Sequence, residues 1–410
     1  MIRFIFLFLL CILPVVSSGG TMHIIVTGDI HGKMEDFSSL AAELKKYPDA
    51  VKIDLGDLFH GEPACDIKNG LPMIKMLNTL KYDLLVPGNH EFELSPAELD
   101  QLYRHFSGTV LGQWQIAGKK PPLQWKIIER NGIRCAFIGM TDNRLYQERF
   151  FYSGYRFKPE LAALDAALAE IRKHPVDAVV LARHGGNYFS GTSAGKILFD
   201  RPEIDIMLCA HTHKEIPGSR SGRCFVVQPG AFAASAVLVT IGRQIKNSLH
   251  ITGSLLRGTS ASVDRECMKI TGETRISLRN RLQKIRFSFT SFDDFARKLL
   301  KKFCQAAGSD AAVVDLPEMK PGNYSLHAAL QLFPYRNQLL LITVTRAEYA
   351  ALKKERPPRN RKRFFSPPPE GKNKFILAID SFQLARSRSL KNKRFIFSGI
   401  IARNIITGDF

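Results

Sequence analysis

Short apolar runs that end in polar, glycine-containing loops recur from Met22 to about residue 245. His23 to Thr27, Ala50 to Leu55, Tyr82 to Val86, Cys135 to Gly139, Ala178 to Ala182 and Ile204 to Cys209 read as buried strands. Helical patterns such as Asp36 to Lys46 and Glu160 to Lys173 lie between them. The alternation predicts a layered α/β domain over residues 22–250, with its chemistry in the loops beyond the carboxyl ends of the strands. Leu123 to Ile128, after Pro121 and Pro122, reads as a strand entry with Trp125 packed.

A Gly-, Ser- and Thr-containing linker around Leu255 to Ser262 separates a second region, expected over 265–405 as a smaller α+β domain. Asp293 to Cys304 has helical spacing interspersed with Arg297, Lys298, Lys301 and Lys302. Residues 309–352 read as strand, loop, helix, strand, helix. The run 353–374 carries nine Lys or Arg against Glu355 and Glu370, with five prolines that oppose a long helix. It is expected to be a solvated linker or insertion loop. Its interleaved Phe364 and Phe365 also permit contact with a polyanion or a membrane surface.

Composition adds limits. At 410 residues, 45% hydrophobic and with 28 Phe, the chain can bury two cores, and wholesale disorder is excluded. Its +20 charge favours anionic partners without choosing among them. Arg3 followed by an apolar run from Phe4 to Leu13 and small residues through Gly20 predicts an export signal over 1–20, hence a periplasmic or secreted protein. The run is short for a bilayer span; cleavage near Ser18 is expected, with an uncleaved anchor as the alternative. Six cysteines then remain, and their wide spacing permits disulfides without requiring a disulfide scaffold.

The strand exits carry the candidate chemistry. The first opens into GDIHGK with Asp29 and His31, and the second into GDLFHG with Asp57. PGNHEFE carries Asn89 and His90, ARHGGN carries His184, and AHTHK carries His211 and His213. Taken singly, each is a commonplace turn, cap or core residue. Together, two carboxylates, one carboxamide and four imidazoles are expected to leave the carboxyl ends of strands of one sheet. Buried without a metal they would compete for protons and hydrogen bonds, so the set predicts a metal centre. Oxygen and nitrogen donors without thiolate favour Mn, Zn, Fe or Co. Seven ligands suit two divalent ions sharing one aspartate.

These five motifs, in this order over residues 22–245, resemble the calcineurin-like metallophosphoesterases, and most of all their secreted 5'-nucleotidase branch. The resemblance implies a layered αββα sandwich with Asp29, His31 and His213 on one ion, Asn89, His184 and His211 on the other, and Asp57 between. It also implies that His90 is catalytic, oriented by Glu93 where the family usually has Asp. The implied reaction is hydrolysis of a phosphoester, most of all a 5'-nucleotide, by a hydroxide bridging the two ions. His60, near Asp57 in GDLFHG, could contact substrate, but reads better as a surface-loop or supporting histidine. From 265 to 400 the resemblance is to the 5'-nucleotidase substrate-binding domain. Phe333, Pro334, Tyr335 and Asn337 stand for a Pro-Phe-x-Asn segment, but Met319 to Tyr324 lack the phosphate-holding arginine, and 380–390 replaces a Gly- and Asp-rich segment. Phe382 and Tyr335 are the candidates for base stacking. The same centre also suits a 2',3'-cyclic nucleotide phosphodiesterase or a thiosulfohydrolase, and a noncatalytic polyanion-binding protein is the third reading.

Overall fold

The computed structural model describes residues 20–66, 68–142, 154–186, 188–189, 192–193, 200–243, 248–282, 286–289, 291–317, 322–325, 338–358, 361–380, 383–384, 387–390 and 395–401. The export segment, Met319 to Pro321, Phe333 to Asn337 and Phe382 lie outside them.

Two six-stranded sheets face each other. The first runs in the order Leu249–Leu256, Ala236–Arg243, Thr21–Thr27, Val51–Asp54, Leu84–Leu85, Thr109–Val110. Its last four strands are parallel. The second runs Ile216–Ser221, Cys224–Gln228, Ile206–Ala210, Ala178–His184, Ile133–Thr141, Trp125–Arg130. Alternate residues of Thr21–Thr27 divide between layers, because successive side chains on a strand point to opposite faces. Ile24 and Val26 join Phe137, Val180 and Leu208 in the core between the sheets. Ile25 points outward onto Phe37, Leu40, Met73 and Leu99 of the helices Met34–Leu44, Leu71–Thr79 and Pro96–Tyr103. Helix Glu160–Ile171 covers the far sheet through Leu164 and Leu168. The result is the expected helix–sheet–sheet–helix sandwich, with Trp125 packed against its outer core.

Three expectations need correction. The seven candidate ligands come from two sheets, not one. Asp29, Asp57 and Asn89 follow strands of the first, whereas His184, His211 and His213 end or follow strands of the second. Facing sheets whose parallel strands end at a common edge bring both sets together. Leu255 and Leu256 are not linker but the end of an edge strand, paired with Val237 and Ala236. The helix that follows, Arg265–Leu282, packs on the first sheet's helix layer, with Cys267 fully buried there.

The third correction concerns the basic run. The C-terminal sheet has the order Arg361–Phe365, Ala311–Pro317, Lys374–Asp380, Gln338–Thr345, Phe395–Ile401. Helix Phe292–Ala307 lies on one face through Leu299, Leu300 and Phe303, and helix Arg346–Lys354 on the other through Tyr349 and Leu352. Residues 361–365, expected in a loop, are thus an edge strand antiparallel to Ala311–Pro317. Phe364 packs on Phe292 and Phe365 on Tyr349, each partly buried. Charged residues on an edge strand also discourage further strand addition. All six cysteines of the body are free thiols.

Candidate metal centre

The backbone at the strand exits is held in a conformation that L-residues avoid. Asp29, His31, Asp57, His211 and His213 have φ of 53°, 51°, 52°, 82° and 58°. Non-glycine residues there cost conformational energy, and such strain gathers where a site over-determines the chain. Cross-loop hydrogen bonds hold it: Asp29 N–H donates to Gly56 O at 2.8 Å and His31 N–H to Asp57 O at 2.9 Å. Glycine is obligatory at Gly56 and Gly88. A Cβ on Gly56 would lie 1.9 Å from Gly88 N, and one on Gly88 would lie 2.3 Å from Asp57 Oδ1.

The imidazole protons are placed by carbonyls, which only accept. His31 Nδ1 faces His60 O at 2.8 Å and His184 Nδ1 faces Leu55 O at 2.6 Å, so the neutral rings carry their protons there. Each Nε2 is left with a lone pair turned into the site. His31 Nε2 lies 3.3 Å from His213 Nε2. His184 Nε2 lies 3.2 Å from Asn89 Oδ1 and 3.4 Å from Asp57 Oδ2. Ligand atoms of Asp29, His31 and His213 fall within 4.8 Å of one another, as do those of Asp57, His184 and His211. Asp29 Oδ1 is buried and has no hydrogen-bond partner, while its Oδ2 accepts from His211 N–H at 2.7 Å. Lone pairs converging on lone pairs, with a carboxylate oxygen unsatisfied, fit cations.

Electrostatics say the same. Burial raises Asp29 to about 7, although His184 pulls the other way. Burial lowers His31 to about 4, against the pull of Asp57. Burial disfavours the charged His184 ring, yet Asp57 overrides this and raises it to about 9. Asp57 itself, despite complete burial, is held well below the usual carboxylate range by His184 and His90. Without cations the cluster takes up protons in their place.

His90 Nδ1 lies 2.5 Å from Glu93 Oε1, the pairing expected of an aspartate, and its Nε2 lies 3.9 Å from Asp57 Oδ2. His60 is buried rather than on a surface loop. Its Nδ1 faces Asp66 Oδ1 at 2.8 Å, and its ring is 3.8 Å from Glu93 Oε2, behind His90. Three supporting residues escaped the sequence reading. Glu91 accepts from the N–H groups of Asp57 and Leu58 at 2.8 Å and of Gly88 at 2.6 Å, tying two ligand loops together. Arg183, fully buried one residue before His184, pairs with Glu160 and with Asp142 at 3.0 Å. Phe232, 47% exposed at φ 59°, holds its ring 5.3 Å from that of His31 and 5.1 Å from that of His213. The acid in PGNHEFE and the ARH triplet were visible signals for the first two. Nothing local marked Phe232, which the turn after strand Cys224–Gln228 delivers, its N–H donating to Asp29 O at 2.7 Å.

The family model for calcineurin-like phosphoesterase matches residues 22–215, a span that contains all seven residues. The chain is 25% identical over 228 residues to endonuclease YhcR of Bacillus subtilis, covering 48% of this chain and 19% of that protein. It is 24% identical over 176 residues to a 5'-nucleotidase of Vibrio cholerae, covering 39% of this chain and 32% of the relative. The aligned part is therefore well under two thirds of either relative. Among solved structures, a 5'-nucleotidase precursor from Thermus thermophilus superposes with a TM-score of 0.65 at 14% identity, covering 95% of this chain and 96% of that one. That likeness extends the shared fold through the C-terminal unit. Residues 22–215 of this chain form a calcineurin-like phosphoesterase domain.

Proposed function

We propose that the protein is an exported, metal-dependent phosphoester hydrolase that releases phosphate from 5'-nucleotides. The observation that carries the reading is the convergence of Asp29, His31, Asp57, Asn89, His184, His211 and His213, with the Nδ1 protons of His31 and His184 pinned outward and their Nε2 lone pairs turned inward. Asp29, His31 and His213 would hold one divalent ion, Asn89, His184 and His211 a second, and Asp57 both. Bound there, the ions would supply an acidified water for attack on phosphorus and offset the charge gathering on the phosphoryl oxygens.

The chain's own groups do the rest. Glu93 keeps the proton of His90 on Nδ1 and fixes the ring, so Nε2 is the atom presented to the leaving oxygen. Glu91 holds the loops of Asp57 and Gly88 in one geometry, which preserves the spacing between the two ligand sets. No side chain needs to act as a nucleophile. Preference for nucleotides is supported by the 5'-nucleotidase among the relatives and by the fold shared over both units. Export is supported by the apolar run after Arg3, and no helix among the described residues is long and apolar enough to cross a membrane.

The test is phosphate release from nucleoside mono-, di- and cyclic phosphates, with metal content measured on the same sample. Turnover of 5'-monophosphates that chelation abolishes and metal restores is expected. Absence of turnover across the panel in metal-loaded protein would contradict the reading. A clear preference for 2',3'-cyclic diesters would move the substrate assignment while leaving the centre intact.

A further inference from the structure

Successive side chains of the strand Ala178–His184 divide between two faces. Ala178, Val180 and Ala182 enter the core between the sheets, and His184 continues that row into the metal centre. Val179 and Leu181 pack instead under helix Glu160–Ile171. Arg183 is next in this second row and fully buried, a guanidinium where the pattern calls for an apolar side chain.

Its contacts lead back to His184. Nη1 donates to Gly186 O at 3.0 Å, two residues beyond that ligand. Nη2 donates to Asp142 Oδ2 at 3.0 Å, and Asp142 N–H donates to His184 O at 2.8 Å. Nε and Nη2 also reach the two oxygens of Glu160, the first residue of the helix. The backbone of Gly185 lies directly on the fork, since a Cβ there would be 2.6 Å from Nη1. Gly186 N–H in turn donates to Ala210 O at 2.8 Å, beside His211. One planar group thus braces the chain around His184 and, through Gly186, the approach to His211. Asp29 and His31 are held by Gly56 O and Asp57 O, in a loop of the other sheet.

A buried ionic cluster is a poor device for stability, because well-packed apolar side chains of the same volume commonly serve as well or better. What the guanidinium supplies and an apolar side chain cannot is several hydrogen bonds at fixed angles. Fixed angles matter where a ring must be held for a cation.

We propose that Arg183 is a positioning residue for metal binding. It fixes His184 and His211, and so sets the affinity of the ion assigned to Asn89, His184 and His211 while leaving the ion assigned to Asp29, His31 and His213 unaffected. This rests on the two-ion reading above and adds that the two affinities are separately adjustable.

Isothermal titration of the metal-stripped full-length chain with manganese chloride tests it, with bound metal counted by plasma mass spectrometry. The parent is expected to take up two ions. Arg183→Lys keeps the charge, but an ammonium cannot span Gly186, Asp142 and Glu160 together. One uptake step should weaken by roughly 10- to 100-fold, the usual worth of a contact that orients a ligand, and the other should not change. Anomalous scattering at limiting manganese should place the retained ion at Asp29, His31 and His213, and excess manganese should restore the second. Leu168→Ala, buried on the same helix, should lower the melting temperature and shift neither step. Should Arg183→Lys fail to fold, Glu160→Gln carries the test, weakening the same step by a smaller factor. The proposal is overturned if both steps weaken alike, if neither moves, if the retained ion sits at Asn89, His184 and His211, or if Leu168→Ala reproduces the selective loss. Uptake of fewer than two ions by the parent would overturn the two-ion reading itself, whereas a failure confined to the variants removes only the role of Arg183.

Discussion

The two units of this chain hold their polar side chains in opposite ways. In the first, the ligands sit on strand exits whose backbone is forced to positive φ and locked by cross-loop hydrogen bonds. In the second, long flexible cations from a helix end, a turn and a late loop surround a cavity, in which the Arg363–Asp315 pair and the Glu355 carboxylate are held by hydrogen bonds. A metal centre needs side chains placed by backbone geometry, because ligand distances tolerate little error. Substitution in the first unit should therefore act on chemistry, and in the second on stability.

Asp57→Asn should have the largest effect. Asn tolerates the φ of 52° and keeps an acceptor for His90 N–H, so the loop survives while the shared charge is lost. Turnover should fall by roughly 10³-fold or more, as expected when shared metal chemistry is removed. Retention of most activity would break the comparison at its root. His90→Asn should keep metal content and lower turnover by about 10²-fold, the usual worth of a positioned proton-transfer group. Steady-state kinetics alongside metal analysis separates the two.

In the second unit, Arg363→Met strands the nearly buried Asp315 carboxylate. Chemical denaturation should show a loss on the order of 2 to 3 kcal/mol, somewhat under the cost of breaking a fully buried pair. Metal content should not change; a loss of metal would show that the units are not independent in this respect.

The pH dependence of the metal-free chain sharpens the contrast further. Burial raises Asp29 to about 7, and Asp57 raises His184 to about 9 against burial. Both folded values exceed the ordinary ones, so both groups stabilise the fold below their ordinary values and lose that contribution as pH rises through 7 and then 9. With chelator, the melting temperature should fall across that window. Manganese should raise it more at about pH 8 than at about pH 6, since protons compete with cations for the same ligands. Equal metal effects at both pH values would contradict this. The smallest effect expected is that of Glu93→Asp, which retains the carboxylate but shortens its reach to His90. A change in turnover of about tenfold or less is expected for an adjusted supporting contact.

The legibility of the sequence follows the same division. All nine residues read from the five motifs, including His90 and Glu93, lie in one cluster, because each motif encodes a strand, a sharp exit and a donor within a few positions. What local pattern could not carry was the assignment of those strands to two facing sheets, which depends on long-range pairing. For His60 the sequence left a surface-loop and a supporting role open, and its contacts with Asp66 and Glu93, which only the tertiary fold supplies, select the second. The strand at 361–365 was hidden because its residues are basic; it is stabilised by Arg363 meeting Asp315 and by two phenylalanines entering opposite cores. Phe232 had no signal at all, since its place beside His31 and His213 comes from a turn after the strand Cys224–Gln228.

Anomalous scattering from crystals of the manganese-loaded protein tests the central claim most directly. Two ions per chain are predicted, one contacted by Asp29, His31 and His213, the other by Asn89, His184 and His211, with Asp57 touching both. A single ion, or two ions with Asp57 bound to only one, would contradict it.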